Sequence, residues 1–513
     1  MPLRLNSARL PTLGLCALLC LGLAATNPAS AREAATSAGS STQTPETVQR
    51  RASLRIGGET VNYTASAGTL MLQTDEGKPR AEMFYIAYQR EGVRDRSTRP
   101  VTFSFNGGPG SSSVWLHLGI LGPRRVVFPD GVQPPPPPHG LADNEFSLLD
   151  VSDLVFIDPV GTGFSRAAGE AKPQEFHGVA EDVQAVAEFI RRWTSENQRW
   201  NSPKFLAGES YGTARAAALV DHLQTQEGMF FNGLMLVSSI LNFGTARFNP
   251  GNDLPYVLFL PSYAATAWYH GRIEPRPALQ PFLQEVRDFA ETEYAQALML
   301  GARLPEARAR EIAQRLSAYT GLSPEFLLRA NLRVNMQRFG KELLREQRRT
   351  VGRLDSRYLG IDADAAGEAP SHDPNYTAIL GPYTAALNHF LGAELGYRDS
   401  RKYEILSGDV NRRWNWGGGN GGSFVNTGEQ LRAAMSRNPH LKVHVANGYY
   451  DLATPFFATE YTFDHLGLEP ELRGNVSMSY YEAGHMMYSH GPSLEALGRA
   501  LREFVLASSR PRP

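Results

Sequence analysis

The stretch from Lys204 to Gln224 restricts the fold more than any other part of this sequence. KFLA is a short apolar run, GESYG sets Ser210 between glycines two positions away on either side, and TARAAALVDHLQ has the alanine content of a closely packed helix. A strand that turns sharply into a helix leaves no room for side chains beside the turn, which is where the glycines stand. The order predicts a strand, a strained turn and a helix. It favours a nucleophilic role for Ser210 over an ordinary Gly-Ser turn.

Further apolar runs place this turn in a larger pattern. VSDLVFID, GLMLVSSI and LKVHVANG are short and apolar, and the helical stretch GVAEDVQAVAEFIRRWTSEN separates the first of them from KFLAG. Such alternation is typical of buried parallel strands joined by crossover helices. Earlier in the chain, turn residues separate LMLQ, MFYIAYQ and VTFSF, which predicts an antiparallel meander. The expected fold class is therefore α/β, with a mixed, mostly parallel sheet flanked by helices.

The composition excludes several classes of function. The 513 residues are 42% hydrophobic and have a formal net charge of -1 without a basic block, so we expect a large buried core and no binding of nucleic acid. Beyond the N-terminus no stretch is long and apolar enough to span a bilayer. The histidines show no HExxH or similar zinc spacing. We expect neither a metal nor an organic cofactor.

The N-terminus has the three parts of a targeting signal. Two arginines precede an apolar segment at about residues 13–25, and the small residues Ala29-Ser30-Ala31 follow it. This pattern predicts a secretory signal peptide over residues 1–31 and export to the periplasm or the cell exterior. Cys16 and Cys20 both lie in this segment, so the exported chain would fold without disulfides.

The rest of the chain divides by composition. Residues 32–51 are rich in Ala, Ser and Thr and predict a disordered leader. We expect a first part of the core at 52–248 and a second at 401–513. Between them the parallel-strand pattern lapses, and segments such as YTAILGPYTAALNHFLG have helical spacing. A mainly helical cap over the active site is therefore predicted at 249–400.

Two loops near the C-terminus offer the partners that a serine nucleophile needs. Asp451 stands in ANGYYDLATP, just beyond an apolar run, and His485 stands in SYYEAGHMMY, after another strand-like run. A hydroxyl needs a base and the base needs an orienting acid, and loops at strand ends carry such groups in open α/β sheets. Serine, acid and histidine in this chain order are typical of the α/β-hydrolase fold. We therefore expect Ser210, Asp451 and His485 to meet.

Two glycine-rich loops follow other predicted strands. FNGGPGSSS follows VTFSF, and its successive glycines leave backbone N–H groups free to point at an oxyanion. FIDPVGTGFSR follows a second strand and would turn tightly at the rim of the same site. The first loop lacks the Gly-Lys-Ser/Thr ending of a phosphate-binding loop, so we favour the oxyanion interpretation.

Taken together, these motifs resemble the serine carboxypeptidase family. The resemblance rests on NGGPGSSS, DPVGTGFS, GESYG, GYYDLATP and GHM in that order, and it extends from about Gly68 to the C-terminus. It implies an α/β-hydrolase fold and an enzyme that releases C-terminal residues from peptides with a free C-terminus. By this resemblance Ser210 is the nucleophile, His485 the general base and Asp451 its orienting acid.

The same resemblance implies roles for residues around the nucleophile. The backbone N–H groups of Gly108 and Tyr211 would form the oxyanion hole. Asn106, Gly107 and Glu209 match the positions that hold the α-carboxylate of the substrate.

The sequence departs from the family pattern at two positions. Family members typically have a second glutamate that shares a proton with the one beside the nucleophile, and here that position is Ile120. Without that partner we expect Glu209 to be ionised at neutral pH, and hence either an unusual pH optimum or a weaker demand for a free C-terminus. Ser111 stands where plant and fungal members usually carry a disulfide-bonded cysteine, which suggests a bacterial-type branch.

Two other functions remain open at this point. An esterase or acyltransferase would use the same three residues on other acyl groups. A non-catalytic binding protein could retain a hydrolase scaffold, although the intact set Ser210, Asp451 and His485 argues against it.

Overall fold

The main sheet combines two patterns of burial. Its first three strands pair antiparallel and have exposed positions, whereas its central strands are buried on both faces. The second pattern is expected where helices cover a parallel sheet on both sides. The strands are Val48–Ile56 (β1), Glu59–Gln73 (β2), Pro79–Arg90 (β3), Val101–Phe105 (β4), Asp153–Ile157 (β5), Lys204–Ser210 (β6), Gly233–Ser239 (β7), Lys442–Gly448 (β8) and Val476–Tyr481 (β9).

The strand order along this sheet is β1-β2-β3-β5-β4-β6-β7-β8-β9. Pairs up to β3 with β5 are antiparallel, and all later pairs are parallel. The short strand Arg166–Ala167 also pairs with β3. Two small antiparallel pairs join Arg124–Val126 to Leu141–Asp143 and Thr350–Val351 to Leu359–Gly360. The mixed, mostly parallel sheet agrees with the predicted fold class.

The computed structural model describes residues 46–128, 132–133, 136–417 and 424–509, all of which lie in one compact unit of residues 44–513. A second unit, residues 1–43, lies outside the described residues, and so does the predicted signal peptide with its two cysteines. None of the helices within the described ranges combines the length and the apolar character that a membrane span requires.

The structure corrects two expectations for the N-terminal half. β1 starts inside the predicted leader because its backbone pairs with β2 from Val48 opposite Ala67, although most of its side chains are exposed. VTFSF is β4, which lies parallel between β5 and β6 and is not part of the meander. Its apolar and polar residues alternate, yet Thr102 is fully buried and lies 2.8 Å from Ser152 in a hydroxyl hydrogen bond. Because the hydroxyl of Thr102 is buried in a hydrogen bond, the alternating sequence of β4 resembles that of a half-exposed strand although β4 is buried.

Helices pack on both faces of the sheet. Buried residues recur at intervals of three or four along Val179–Glu196, and most of Tyr211–Gln226 is buried behind the turn at Ser210. The α-helices are Val114–Leu116, Val179–Glu196, Tyr211–Gln226, Leu254–Tyr269, Leu279–Phe289, Ala295–Leu300, Glu306–Thr320, Pro324–Arg329, Met336–Glu342, Pro374–His389, Gly408–Arg413, Gly428–Arg437, Phe456–Asp464, Pro470–Arg473 and Gly491–Ser509.

The stretch between Leu254 and His389 is mostly helical and contributes its own apolar cluster. In this cluster the rings of Tyr263 and Phe339 stack with centroids 4.1 Å apart. The cluster also contains Phe456, from the helix that follows β8. These helices therefore pack against the part of the core that carries Asp451. The domain boundaries drawn from the sequence stay predictions.

Candidate active site

Ser210 lies at a strained turn between β6 and the following helix. Its backbone has φ 59° and ψ -130°, a conformation that residues with a side chain rarely adopt. A Cβ on Gly208 would lie 2.4 Å from the carbonyl oxygen of Gly212, so a side chain cannot be accommodated there. The turn aims the half-buried Ser210 side chain into a cleft.

Asp451 and His485 form a buried pair. Each follows a neighbouring parallel strand, β8 for Asp451 and β9 for His485, so both lie at the same edge of the sheet. His485 Nδ1 and Asp451 Oδ2 are 2.7 Å apart. Asp451 also accepts hydrogen bonds from the backbone N–H of Ala453 at 2.7 Å and from Thr454 Oγ1 at 2.7 Å. These bonds fix the carboxylate and thereby the orientation of the imidazole ring.

The charges around His485 favour its protonation. Burial opposes a charged imidazole, but the Asp451 carboxylate and its hydrogen bond outweigh burial and raise the pKa of His485 above its ordinary value. Glu209 acts in the same direction, and Arg353 opposes it. An imidazole of this kind is suited to accept a proton and to hold it while a bond is broken.

Ser210 and His485 line the same cavity. Among the hydrogen bonds of the described residues, none joins Ser210 Oγ to His485 Nε2. Such bonds are often long without substrate and tighten in the reacting complex. The structure therefore brings the predicted serine, acid and histidine to one place, with the acid and histidine already hydrogen-bonded.

The loop after β4 packs directly on the turn at Ser210. A Cβ on Gly107 would lie 2.5 Å from the backbone nitrogen of Tyr211, which only glycine allows. Gly108 follows with φ 100°. Gly108 and Tyr211 both line the cleft beside Ser210. This is where backbone N–H groups of an oxyanion hole are needed.

Glu209 is a buried carboxyl group with two hydrogen-bond donors. Asn106 Nδ2 donates to its Oε1 at 3.0 Å, and the Tyr488 hydroxyl donates to its Oε2 at 2.5 Å. Only 3% of Glu209 is exposed. Burial raises the pKa of Glu209 to about 7, against the opposing effects of His485 and of the two donors. The expectation that Glu209 is ionised at neutral pH is therefore corrected, because burial favours its protonated form and brings its pKa close to neutral.

Tyr488 contacts Glu209, and the sequence analysis did not single it out. Ile120 is fully buried and in the same apolar cluster as Tyr488. A Cβ on Gly119, the residue before Ile120, would lie 2.3 Å from the Tyr488 ring. The phenol therefore packs beside Gly119 and Ile120, the segment where the resemblance led us to look for a second glutamate. Tyr488 comes three residues after His485 in GHMMY, and that position is the one signal that could have drawn attention to it.

A buried carboxylate ties the two glycine-rich loops together. Asp158 Oδ1 accepts hydrogen bonds from the backbone N–H and the hydroxyl of Ser113, both at 2.8 Å. Ser111 Oγ accepts a hydrogen bond from Trp115 Nε1 at 2.8 Å. The loop that carries Gly108 is thus held by polar contacts of Ser111 and Ser113.

The cleft has two cavities that meet at Ser210. One cavity, about 540 Å³, is lined by Asn106, Gly107 and Glu209 among others. The other, about 610 Å³, is lined by residues such as Tyr211, Ile240 and Thr454. Gly108, Ser210, Arg353 and Asn411 line both. Within the described ranges, no group of three or more His, Cys, Asp or Glu side chains is arranged to hold a metal ion.

Comparison with known proteins gives matches to serine carboxypeptidases. Residues 58–249 match the family model described as serine carboxypeptidase. Serine carboxypeptidase-like 45 of Arabidopsis thaliana is 27% identical over 207 residues, which are 39% of this chain and 39% of the relative. The pheromone-processing carboxypeptidase KEX1 of Yarrowia lipolytica is 26% identical over 203 residues, 38% of this chain and 30% of the relative. The matched segments thus span two-fifths or less of these relatives.

A solved structure extends the likeness to most of the chain. A prohormone-processing carboxypeptidase from Saccharomyces cerevisiae superposes with a TM-score of 0.52 at 16% identity, covering 87% of this chain and 91% of that one. At this identity the likeness bears on the fold alone, and the predicted α/β-hydrolase fold is confirmed. The family resemblance read from the motifs is confirmed as well, whereas the bacterial-type branch stays a prediction.

Proposed function

We propose that this chain, whose residues 58–249 match the serine carboxypeptidase family model, is a serine-type carboxypeptidase that releases C-terminal residues from peptides. The observation that carries the proposal is the position of Ser210 where two cavities meet, with the buried Glu209 in the wall of one of them. Peptides with a free C-terminus are the proposed substrates. The terminal residue occupies the cavity lined by Glu209, which we call the terminus-side cavity. The rest of the peptide extends into the cavity lined by Ile240 and Thr454, which we call the acyl-side cavity.

The proposed reaction begins with attack of Ser210 Oγ on the carbonyl carbon of the last peptide bond. His485 accepts the hydroxyl proton, and the Asp451 carboxylate stabilises the resulting imidazolium. The backbone N–H groups of Gly108 and Tyr211 donate to the oxyanion. His485 then gives the proton to the leaving amine, and the terminal residue departs. Water, deprotonated by His485, hydrolyses the acyl-enzyme on Ser210.

Recognition of the substrate terminus is assigned to Asn106, Gly107 and Glu209. Two carboxylates repel each other, so Glu209 binds the terminal carboxylate only when it is protonated and can donate a hydrogen bond. The pKa of Glu209 near 7 supports such a neutral form in acidic and neutral solution. Tyr488 keeps the carboxyl in position, where other family members use a second carboxyl.

The two titrating groups set opposite limits on activity. Glu209 is needed protonated, and it loses its proton as the pH rises through about 7. His485 is needed neutral as a base, and its raised pKa means that it becomes charged as the pH falls. We therefore expect kcat/KM for a free peptide acid to be bell-shaped in pH, with its alkaline fall near neutral pH and expressed mainly in KM.

A blocked dipeptide and its C-terminal amide test the proposal. Both are incubated with the purified protein from pH 4 to pH 9, and the products are identified by mass spectrometry beside Ser210→Ala. Release of the terminal residue from the free acid, lost in Ser210→Ala, is the expected result. Equal cleavage of acid and amide would mean that Glu209 does not recognise the terminus. Hydrolysis of simple esters alone would favour the esterase or acyltransferase.

A serine-directed phosphonate probe separates an enzyme from a binding protein. We expect it to label the wild type at Ser210 and to leave Ser210→Ala unlabelled. A wild type that resists the probe would support the non-catalytic alternative.

Export belongs to the same proposal. Processing of the predicted signal peptide leaves Arg32 as the first residue, which N-terminal sequencing of the exported protein would detect. Unprocessed protein retained in the cell would contradict export.

A further inference from the structure

The two cavities that meet at Ser210 differ in charge. The described residues that line the acyl-side cavity include Arg247 and Arg353 but neither Asp nor Glu. The terminus-side cavity has mixed charges, since Glu209 and Asp373 line it together with Arg353. A recess lined by charges of one sign attracts groups of the opposite sign. The acyl-side cavity therefore favours an anionic group.

The guanidinium of Arg247 packs on aromatic rings. Its guanidinium lies 5.2 Å from the ring centroid of Trp416 and 5.7 Å from that of Phe243. No salt bridge involves it within the described part of the chain. Stacking on aromatic faces orients a guanidinium while leaving its edge N–H groups available as donors. These groups can form two parallel hydrogen bonds with a carboxylate.

Arg353 supplies a second positive charge where the cavities meet. Its backbone N–H donates to Asp373 at 3.2 Å, which anchors the segment. The side chain is exposed and lines both cavities. Its charge acts on His485, so it is close enough to act on a substrate held at Ser210 as well.

We propose that the acyl-side cavity selects peptides whose penultimate residue is acidic, with Arg247 as the main contact and Arg353 as the second. This inference rests on the proposed function. If the terminal residue lies beside Glu209, the residue that becomes the acyl group on Ser210 has its side chain on the opposite side of the serine. The substrate class is therefore a peptide ending in Glu-Xaa or Asp-Xaa with a free terminal carboxylate.

Blocked dipeptides that differ only at the penultimate residue test the inference. The values of kcat/KM are measured for Glu, Gln and Lys at this position with one terminal residue. We expect Glu to exceed its isostere Gln by about fivefold, the effect of one partly exposed ion pair, and Lys to lie below Gln. The Glu/Gln ratio should fall as ionic strength rises, because salt screens exposed charges.

Variants identify the residue responsible. Arg247→Gln is expected to bring the Glu/Gln ratio to about 1, and Arg247→Glu to make Lys the preferred residue. The ratio is taken within one protein preparation, so a change in folded fraction does not affect it. Arg276→Gln is the matched control, since Arg276 also stacks on a tryptophan, with its guanidinium 3.7 Å from the Trp268 ring centroid, but lines neither cavity.

The outcomes separate this inference from the proposed function. Cleavage of Gln and Glu peptides at equal rates would overturn the acidic preference and leave the carboxypeptidase standing. An unchanged Glu/Gln ratio in Arg247→Gln would overturn the assignment to Arg247. Failure to cleave any peptide acid would overturn the proposed function itself.

Discussion

Replacing Glu209 by glutamine tests whether burial raises the pKa of the carboxyl group beside Ser210. The amide has nearly the same shape and cannot ionise. Glu209 has a pKa of about 7 in the folded protein, against an ordinary value of 4.5. The native state thus retains a proton that the unfolded chain releases between these two pH values. Stability from this group is fully present below pH 4.5 and declines until the pH passes 7.

The size of the effect follows from the pKa difference. A shift from 4.5 to about 7 corresponds to about 3 kcal/mol of lost stability above neutral pH, at about 1.4 kcal/mol per pKa unit. Glutamine removes this penalty, but one of the donors Asn106 and Tyr488 then faces an amide NH₂ group and not an oxygen. That loss is the same at every pH. We therefore take the difference in unfolding free energy between the variant and the wild type at pH 4 and at pH 8. The change in that difference between the two pH values is expected to be about 3 kcal/mol.

Denaturant unfolding of wild type and Glu209→Gln between pH 4 and pH 8.5 measures this change. Relative to the wild type, the variant should gain stability as the pH rises, with most of the gain between pH 5 and pH 7. Glu346→Gln, the same substitution at an exposed glutamate, controls for the charge removed. If the difference in unfolding free energy between Glu209→Gln and wild type does not vary with pH, the raised pKa of Glu209 is refuted. The argument that protonated Glu209 recognises the substrate terminus then fails as well.

Two further predictions concern Tyr488 and Asp451. Tyr488→Phe removes the hydroxyl that stabilises ionised Glu209, so the pKa of Glu209 should rise. The alkaline increase in KM for a peptide acid should then move up by about one pH unit, as measured by kcat/KM against pH. An alkaline limit at the same pH as in the wild type would show that Tyr488 does not affect recognition of the substrate terminus. Asp451→Asn should lower kcat by about 10³- to 10⁴-fold because asparagine does not orient His485 as a base. Steady-state rates measure the effect, on protein that circular dichroism shows to be folded. A loss in kcat below tenfold would contradict the role assigned to Asp451.

Sequence motifs predicted those parts of the site in which the interacting residues lie close together in the chain or follow predicted strands. GESYG gave the strained turn at Ser210 because the close contact between Gly208 and Gly212 lies within five residues. Asp451 and His485 were found because each follows an apolar run, and parallel strands bring such loops to one edge. Short-range geometry of this kind leaves a signature in a few consecutive letters.

The contacts that sequence reasoning missed join distant parts of the chain. The hydrogen bond between Tyr488 and Glu209 links residues 279 positions apart, and no spacing rule points to it. The charge of the acyl-side cavity likewise arises because Arg247 and Arg353, from separate segments of the chain, line the same cavity. β1 was missed because its partner strand, and not its own composition, stabilises it.

The hydrogen bond from Tyr488 to Glu209 affects the proton of Glu209 differently from a second carboxyl group. Two carboxyls share a proton because their like charges repel when both ionise. A phenol whose own pKa burial raises well above 10 stays neutral and donates a hydrogen bond, which favours ionised Glu209 and so lowers its pKa. Burial is then the factor that keeps Glu209 protonated near neutral pH. If Glu209 binds the substrate terminus as proposed, the apolar packing of Ile120 and of the Tyr488 ring supports that binding, because any change that admits water there would return the pKa of Glu209 towards its ordinary value.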